Sequence, residues 1–359
     1  MDSKPGLNIL DEARGQLTTV LTEVESLRRD VIDETLPMSQ RIEAYGDIIA
    51  SEVGDTLMSR ARNLEREYGL RQLYLKFEGS NPSGTQKDRI AFAQVEDAFR
   101  QGYQQIITAS CGNYGVALAF AASLAGIHCR IYIPTSYHTS REDEMTRYGA
   151  EIVRLGRDYE EAVQLSSEDA RALEMYDANP GAINIDIQLK AYGEIAHEIY
   201  DELRDAPAAV AVPVSNGTTL AGIYKGFQTL YRRGKISRLP RMIAGSSAGK
   251  NPIINSYKKG YATYRDLSPE KIKESQINEP LINWHSIDGE VAFQAIRESG
   301  GWAENVSDHA MLEMAKFLKN NEGLSVLPAS TAGLSAMLQF NRQNPLPGDR
   351  YVVVITGRK

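Results

Sequence analysis

The sequence predicts an α/β protein built on open, mainly parallel sheets flanked by helices. Three observations carry this. Short apolar runs alternate with helix-length segments from about residue 70 onwards, and strands that apolar are buried on both faces. Several of these runs end in small, polar, glycine-containing loops that open the next helix. The chain has 359 residues, enough for two domains that share a substantial core.

The elements follow in order. Leu17, Val20, Val24, Leu27 and Val31 recur at steps of three and four, with Glu23, Glu25, Arg28 and Arg29 off the stripe. That is one face of an amphipathic helix, expected to pack on the core or on a partner subunit, and Thr35-Leu36-Pro37 ends it. Leu73 to Phe77 reads as a strand, Arg89 to Phe99 as a helix and Ile106-Ile107-Thr108 as a short strand. Gly115 to Leu124 is an alanine-rich, nearly all-apolar helix. Cys129 to Ile133 is a strand ended by Pro134, and Ile152 to Leu155 is another, followed by a helix from Tyr159 towards Met175. Later come strand Ala208 to Val214, helix Leu220 to Tyr231, strand Met242 to Ala244 and a closing strand Tyr351 to Ile355. Lys250 to Ile282 is polar and irregular, and is expected to be a long surface excursion. There is no internal repeat and no low-complexity tract.

Composition narrows the function classes. The chain is 42% hydrophobic and 24% charged, with a net charge of -7 and no dense Lys/Arg block. That argues against nucleic acid or an anionic membrane as the main partner. Cys111 and Cys129 are the two cysteines, which fits a reducing compartment and no disulfide framework. Met1 to Asp11 shows no signal-peptide pattern, and no uncharged apolar run reaches transmembrane length. A cytoplasmic protein is expected. The five histidines, His128, His138, His197, His285 and His309, are scattered and are read as structural or surface residues.

In open parallel sheets, ligands bind at the carboxyl ends of strands. After Ile106-Ile107-Thr108 comes Ala109-Ser110-Cys111-Gly112-Asn113-Tyr114-Gly115. Its backbone N–H groups at a helix head suit an anion such as a substrate carboxylate; a plain turn with Ser110 or Asn113 as cap is the alternative. After Ala208 to Val214 comes Ser215-Asn216-Gly217-Thr218-Thr219, whose hydroxyls and glycine suit a phosphate. It is not a nucleotide loop, because no G-x-G-x-x-G stands at a strand end. Gly245 to Lys250 mimics a P-loop, but it is one residue short and has Asn251 where a magnesium-binding hydroxyl belongs. Thr356-Gly357 follows the last strand and could face the same crevice. Lys87 lies in a loop with Pro82 and Gly84 that would rim it too. Tyr192-Gly193-Glu194, read as preceding a helix, could line the pocket; Trp284-His285-Ser286 sits in a loop that could reach the crevice, but a packing role is expected.

The run Asn81-Pro82-Ser83-Gly84-Thr85-Gln86-Lys87-Asp88-Arg89 resembles the N-P-[ST]-G-[ST]-x-K-D-R lysine motif of fold-type II pyridoxal-phosphate enzymes, and within them is most similar to threonine synthases. Ser110-Cys111-Gly112-Asn113 resembles the family's S-x-G-N loop, and Val212 to Gly217 its V-P-V-G-N-G loop. Residues 295–301, Val306-Ser307-Asp308, Glu322-Gly323, Pro328 to Ala332 and Thr356-Gly357 are similar in family order. The resemblance implies the tryptophan synthase beta-like fold, with pyridoxal 5′-phosphate in the cleft between two domains. These are expected over 51–90 plus 190–359 (large, cofactor-binding) and 91–189 (small), after an N-terminal helical extension over 1–50. It implies that Lys87 carries the cofactor as a Schiff base and shuttles the α-proton, and that Asn113 bonds the cofactor's phenolic oxygen. Ser215, Asn216, Gly217, Thr218 and Thr219 would hold its phosphate. Thr356 would face the ring nitrogen, and Ser110, Cys111, Gly112 and Tyr114 the carboxylate of a small amino-acid substrate. It also implies a homodimer.

Three departures narrow the reading. Val53-Gly54-Asp55-Thr56-Leu57 stands where the family has G-x-T-P-L, and Gln86 replaces an aromatic residue. Gln188, with Lys190 nearby, stands where an arginine commonly grips the substrate's phosphate, and glutamine offers no charge-assisted bidentate grip. Only Arg358 and Lys359 follow Gly357, so no C-terminal regulatory domain is expected. The expected activity is elimination or replacement on an amino acid with a β- or γ-leaving group, a carbon–oxygen lyase chemistry of threonine synthase type. The alternatives are a cysteine or cysteate synthase type of β-replacement, a serine/threonine dehydratase, and a non-catalytic cofactor-binding relative.

Overall fold

The computed structural model describes residues 23–137, 139, 141–181 and 183–359. Leu17 and Val20 of the first predicted helix, and His138, lie outside them. Among the described residues, ten strands form two sheets. The larger has the order β1 (Met58–Arg60), β2 (Leu73–Phe77), β10 (Tyr351–Ile355), β7 (Ala209–Pro213), β8 (Arg241–Ser247), β9 (Trp302–Val306). The smaller runs β5 (Glu151–Arg154), β4 (His128–Ile133), β3 (Gln105–Ala109), β6 (Tyr176–Asp177). Every pairing is parallel except β1 with β2, so the expected mainly parallel α/β architecture is what the chain adopts.

Alternation explains why these strands read as apolar runs. Val352 and Val354 of β10 enter one core with Val210 and Val212 of β7. Val353 and Ile355 enter the opposite core with Ala209 and Ala211. Both faces of the central strands are therefore dry.

The first helix, α1, is described from residue 23 to 32. Val31 is buried and Leu27 packs on the core, while Glu23, Glu25, Arg28 and Arg29 are exposed, as the stripe predicts. Pro37 ends this stretch and heads α2 (Met38–Glu52). There follow α3 (Arg62–Tyr68), α4 (Lys87–Arg100), α5 (Asn113–Ala125), α6 (Glu142–Arg147), α7 (Tyr159–Ala172), α8 (Ile185–Leu203), α9 (Thr218–Arg232), α10 (Pro252–Lys258), α11 (Gly289–Glu298), α12 (Asp308–Phe317) and α13 (Ala332–Gln343).

The helices α8 and α9 pack tightly against each other. They touch backbone to backbone: a Cβ added at Gly226 would lie 2.4 Å from the Gly193 carbonyl oxygen. Glycine is required there because no side chain fits between the helices.

Two expectations are corrected. Tyr192-Gly193-Glu194 does not precede a helix but lies inside α8, whose apolar positions Leu189, Tyr192, Ile195, Ala196 and Ile199 keep a helical spacing. Lys250 to Ile282 is not wholly a surface excursion. It opens with α10, which buries Pro252, Ile253 and Ile254, and Asn251-Pro252 is a helix-start signature.

Candidate active site

The strand ends of β2, β10 and β7 meet at one edge of the large sheet, since Ile355 lies opposite Phe77 and Val353 opposite Ala211. The lysine loop leaves β2 there and is stitched to the end of β10. Gln86 N–H donates to the Thr356 carbonyl at 3.0 Å, and Arg358 N–H to the Gly84 carbonyl at 2.9 Å. The structure thus brings Lys87 and Thr356 together through the backbone. The Thr356 hydroxyl itself donates to Ser330 Oγ at 3.1 Å. Lys87 is the first residue of α4 and half-buried, with Nζ 6.0 Å from the centre of the Tyr114 ring.

Behind the loop lies a buried ion cluster. Arg89 pairs with Glu78 (2.6 Å) and Glu198 (2.7 Å), and Lys76 pairs with Glu198 (2.5 Å). Two cations and two carboxylates cancel. Burial would raise the Glu198 carboxyl, but Arg89 and Lys76 hold it at about 2. Asn81 ties the loop to its surroundings, accepting from Gly54 N–H at 3.1 Å and donating to Glu78. Asp88 accepts from Ser83 N–H at 2.9 Å, and burial pushes its carboxyl up to about 6.

The loop after β7 is held by neutral groups. Gly217 caps α9 with φ of +95°, a left-handed conformation that favours glycine. Asn251 donates to the Val214 and Ser215 carbonyls at 3.3 and 3.0 Å. Asn283 donates to Asn216 Oδ1 at 2.8 Å, and Ser286 donates to the Ser215 carbonyl at 3.2 Å. The hydroxyl of Thr218 donates to Asp288. Of the segment read as packing, Ser286 therefore shapes the site, while His285 pairs with Asp266 at 3.0 Å.

On the smaller-sheet side, Ser110 Oγ accepts from Gly115 N–H at 2.9 Å, which holds the turn as a cap would. Gly112 is the cap residue, and a Cβ there would meet nothing within 4 Å, so the loop opens onto free space. Asn113 begins α5 beside it. Burial pushes the Cys111 thiol up to about 12, reinforced by Glu279 and Glu274. The Tyr114 hydroxyl accepts from Gln94 at 2.5 Å and donates to the Ala178 carbonyl at 2.6 Å. Gln188 is buried on the same wall and donates to Gln94 Oε1 and the Asn179 carbonyl, both at 3.3 Å. Lys190 is exposed on α8 and stands apart from this wall.

Electrostatics converge on Lys87. Burial lowers its amine to about 8, although the nearby carboxylate of Asp288 favours the charged form. Burial raises Asp288, and Thr218 and Lys87 oppose that. Asp288 was not singled out from sequence. Nor were Asn251, Asn283, Glu78 and Glu198, although the Asn251-Pro252 pair gave a signal. Among the described residues, no group of three or more His, Cys, Asp and Glu could hold a metal ion.

A lysine whose amine is lowered by burial stands near a helix head rich in hydroxyl and backbone donors, and the chain belongs to the pyridoxal-phosphate dependent enzyme family, whose model matches residues 49–357. Within it the chain is threonine synthase-like. It is 28% identical over 354 residues to the threonine synthase of Methanocaldococcus jannaschii, covering 95% of this chain and 86% of that one. It is 30% identical over 310 residues to the threonine synthase of Methanosarcina acetivorans, covering 86% and 75%. Maize serine racemase shares the fold, with a TM-score of 0.73 at 20% identity over 88% of this chain and 92% of the other. So does threonine deaminase isoform 2 of Solanum lycopersicum, at 0.72 and 17% over 89% and 90%.

The cofactor is pyridoxal 5′-phosphate, and the residues present fit it. Lys87 supplies a buried amine. The head of α9 supplies backbone and hydroxyl donors. Tyr192, beside Thr219, has a buried hydroxyl.

Proposed function

We propose that the enzyme catalyses elimination or replacement on a small amino acid carrying a β- or γ-leaving group, as a threonine synthase-like carbon–oxygen lyase. The observation that carries this reading is Lys87, lowered by burial to about 8, in a loop fixed to Thr356 and facing the cup at α9. Lys87 binds the cofactor, and Ser215 through Thr219 hold its phosphate. Asn113 would contact its phenolic oxygen, and Thr356 would face its ring nitrogen. Ser110, Cys111, Gly112 and Tyr114 seat the substrate carboxylate. Residues 51–90 with 190–359 form the cofactor-binding domain, and 91–189 the smaller one.

When bound, the cofactor supplies the electron sink that acidifies the substrate's α-hydrogen. The freed Nζ of Lys87 takes that proton, which a group with a pKa of about 8 can do near neutral pH. A neutral hydroxyl at Thr356 leaves the ring nitrogen free of a forced proton, which suits elimination and replacement over transamination.

Gln188 favours the second reading, β-replacement of the cysteine or cysteate synthase type or a dehydratase. Its amide already bonds Gln94 and the Asn179 carbonyl, so it offers no charged grip to a distal phosphate. Inorganic phosphate release from phosphohomoserine, set against turnover of phosphoserine, O-acetylserine and threonine, separates the two. Turnover of none of them would leave a cofactor-binding protein without this chemistry. We further expect a cytoplasmic homodimer, which sedimentation of the purified chain checks.

A further inference from the structure

The carboxyl group of Asp288 sits in an unusual place. It occupies the cap position of α11, yet it makes no hydrogen bond to its own helix. An aspartate there ordinarily accepts from the first turn. Here the side chain is turned to the neighbouring helix head, where Oδ2 accepts from the Thr218 hydroxyl. Only 2% of the residue is exposed. Oδ1 is buried with no hydrogen-bond partner among the described residues. A buried acceptor without a donor is costly, and such an atom points to something that completes it.

The charges around it say what is missing. Lys87, at the head of α4, is the cation whose field acts on Asp288. Tyr159 from α7 and Tyr192 from α8 also sense it, and burial keeps both phenols protonated. On α9 and α10, Lys225 and Lys258 pair at the surface with Asp186 and Glu304. On α11 itself, Glu290 is turned to the Tyr264 backbone. Asp288 therefore depends on Lys87 for its counter-charge. A phosphate ester at the head of α9, beside Thr218, competes with Asp288 for that one cation, whether or not the amine has reacted. Two anions in one dry site cannot both stay charged on a single cation; one takes a proton.

We propose that Asp288 receives that proton: arrival of a phosphate ester at the head of α9 draws one proton from solvent onto Oδ1, and the resulting acid donates its O–H to the phosphate while Thr218 continues to donate to Oδ2. Asp288 is thus a positioning residue that makes cofactor loading depend on pH. The proposal rests on the reading that residues 215–219 hold the cofactor's phosphate.

The test uses the full chain stripped of cofactor, with pyridoxine 5′-phosphate as probe. Its alcohol cannot react with Lys87. Calorimetry at about pH 8, in two buffers of different ionisation enthalpy, counts the protons taken up. The wild-type enzyme should take up close to one per site, and Asp288→Asn close to none. As pH rises, the variant's affinity should gain on the wild type by up to about tenfold per unit. Uptake that persists in Asp288→Asn would assign the proton to the Lys87 amine or the phosphate, and would overturn the proposal. So would a wild-type enzyme that takes up none. Should the variant fail to fold, infrared difference spectra of the wild-type enzyme decide: a protonated-carboxyl C=O band must appear on binding, and its absence sinks the idea. The functional reading fails separately, if the wild-type enzyme given pyridoxal phosphate forms no lysine-linked visible band. A band that forms while Asp288→Asn changes nothing removes only this inference.

Discussion

The lysine loop and the cup at the head of α9 are held in place by opposite means. Behind the lysine loop stand Arg89, Lys76, Glu78 and Glu198, four charges in contact and cancelling. Behind the cup stand Asn251, Asn283 and Ser286, which hold backbone and side chain with neutral dipoles. The difference follows from what each must receive. A cluster of zero net charge can anchor a loop rigidly without projecting a field on the ligand. An anion cup gains from aimed N–H and O–H groups, and any fixed carboxylate there must be neutralised. Asp288 is the exception that tests the rule.

The largest expected effect comes from removing the amine between the two regions. Lys87→Ala should abolish the visible band and cut turnover by a factor on the order of 10³ or more, while leaving the fold intact. Substantial turnover by Lys87→Ala would break the assignment of both loops to one site.

Next comes the charged scaffold. Arg89→Met leaves Glu78 as an uncompensated buried charge and Glu198 with Lys76 alone, and chemical denaturation should show a loss of about 3–5 kcal/mol. The pH response has a definite sign. Glu198 is held at about 2 against an ordinary 4.5, so its contribution is full above pH 4.5 and fades as pH falls towards 2. Glu198→Gln should flatten the stability profile in that acid window. An unchanged profile would mean the cluster is not the anchor.

The neutral scaffold should respond more weakly and in a different currency. Asn251→Ala removes donors to two cup carbonyls and the cap that accepts from Ile253 and Ile254 N–H groups. We expect a loss of about 1–2 kcal/mol in stability and about tenfold in cofactor affinity. A stability loss with unchanged affinity would show that the cup keeps its shape without Asn251.

The contrast also explains what could be read from sequence. Strands β2 and β10 were legible to the residue, β10 because both its faces are buried, and the loops that carry Lys87, Ser110 and Thr218 because they follow strands. The α8 helix was missed at Tyr192-Gly193-Glu194 because its glycine is there for contact with α9, a tertiary cause. Strand β9 was missed because Glu304 and Asn305 interrupt its apolar pattern. The partners of each loop were invisible for one reason: Glu198 lies 109 residues from Arg89, and Asp288 lies 70 from Thr218. Local pattern marks where a loop sits, whereas the counter-charge that fixes it comes from anywhere in the chain.

The smallest effect is expected at the third loop, and it sharpens the rule for anion sites. The turn Ser110 to Tyr114 would seat a carboxylate, so a charged Cys111 would oppose its purpose. Burial and the glutamates Glu279 and Glu274 hold that thiol at about 12, protonated throughout the working range. The side chain therefore acts as a small neutral group, and the adjacent Gly112 and the Ser110 hydroxyl shape the turn. Cys111→Ser keeps size and neutrality, and should retain activity within about twofold, since a neutral isosteric change at an unreactive position moves energies by less than about 0.5 kcal/mol. Cys111→Asp places a charge where the substrate's own must go, and should raise KM with little change in kcat. If serine abolished turnover, the thiol would be a participant, and the carboxylate turn would not share the neutral construction of the cup.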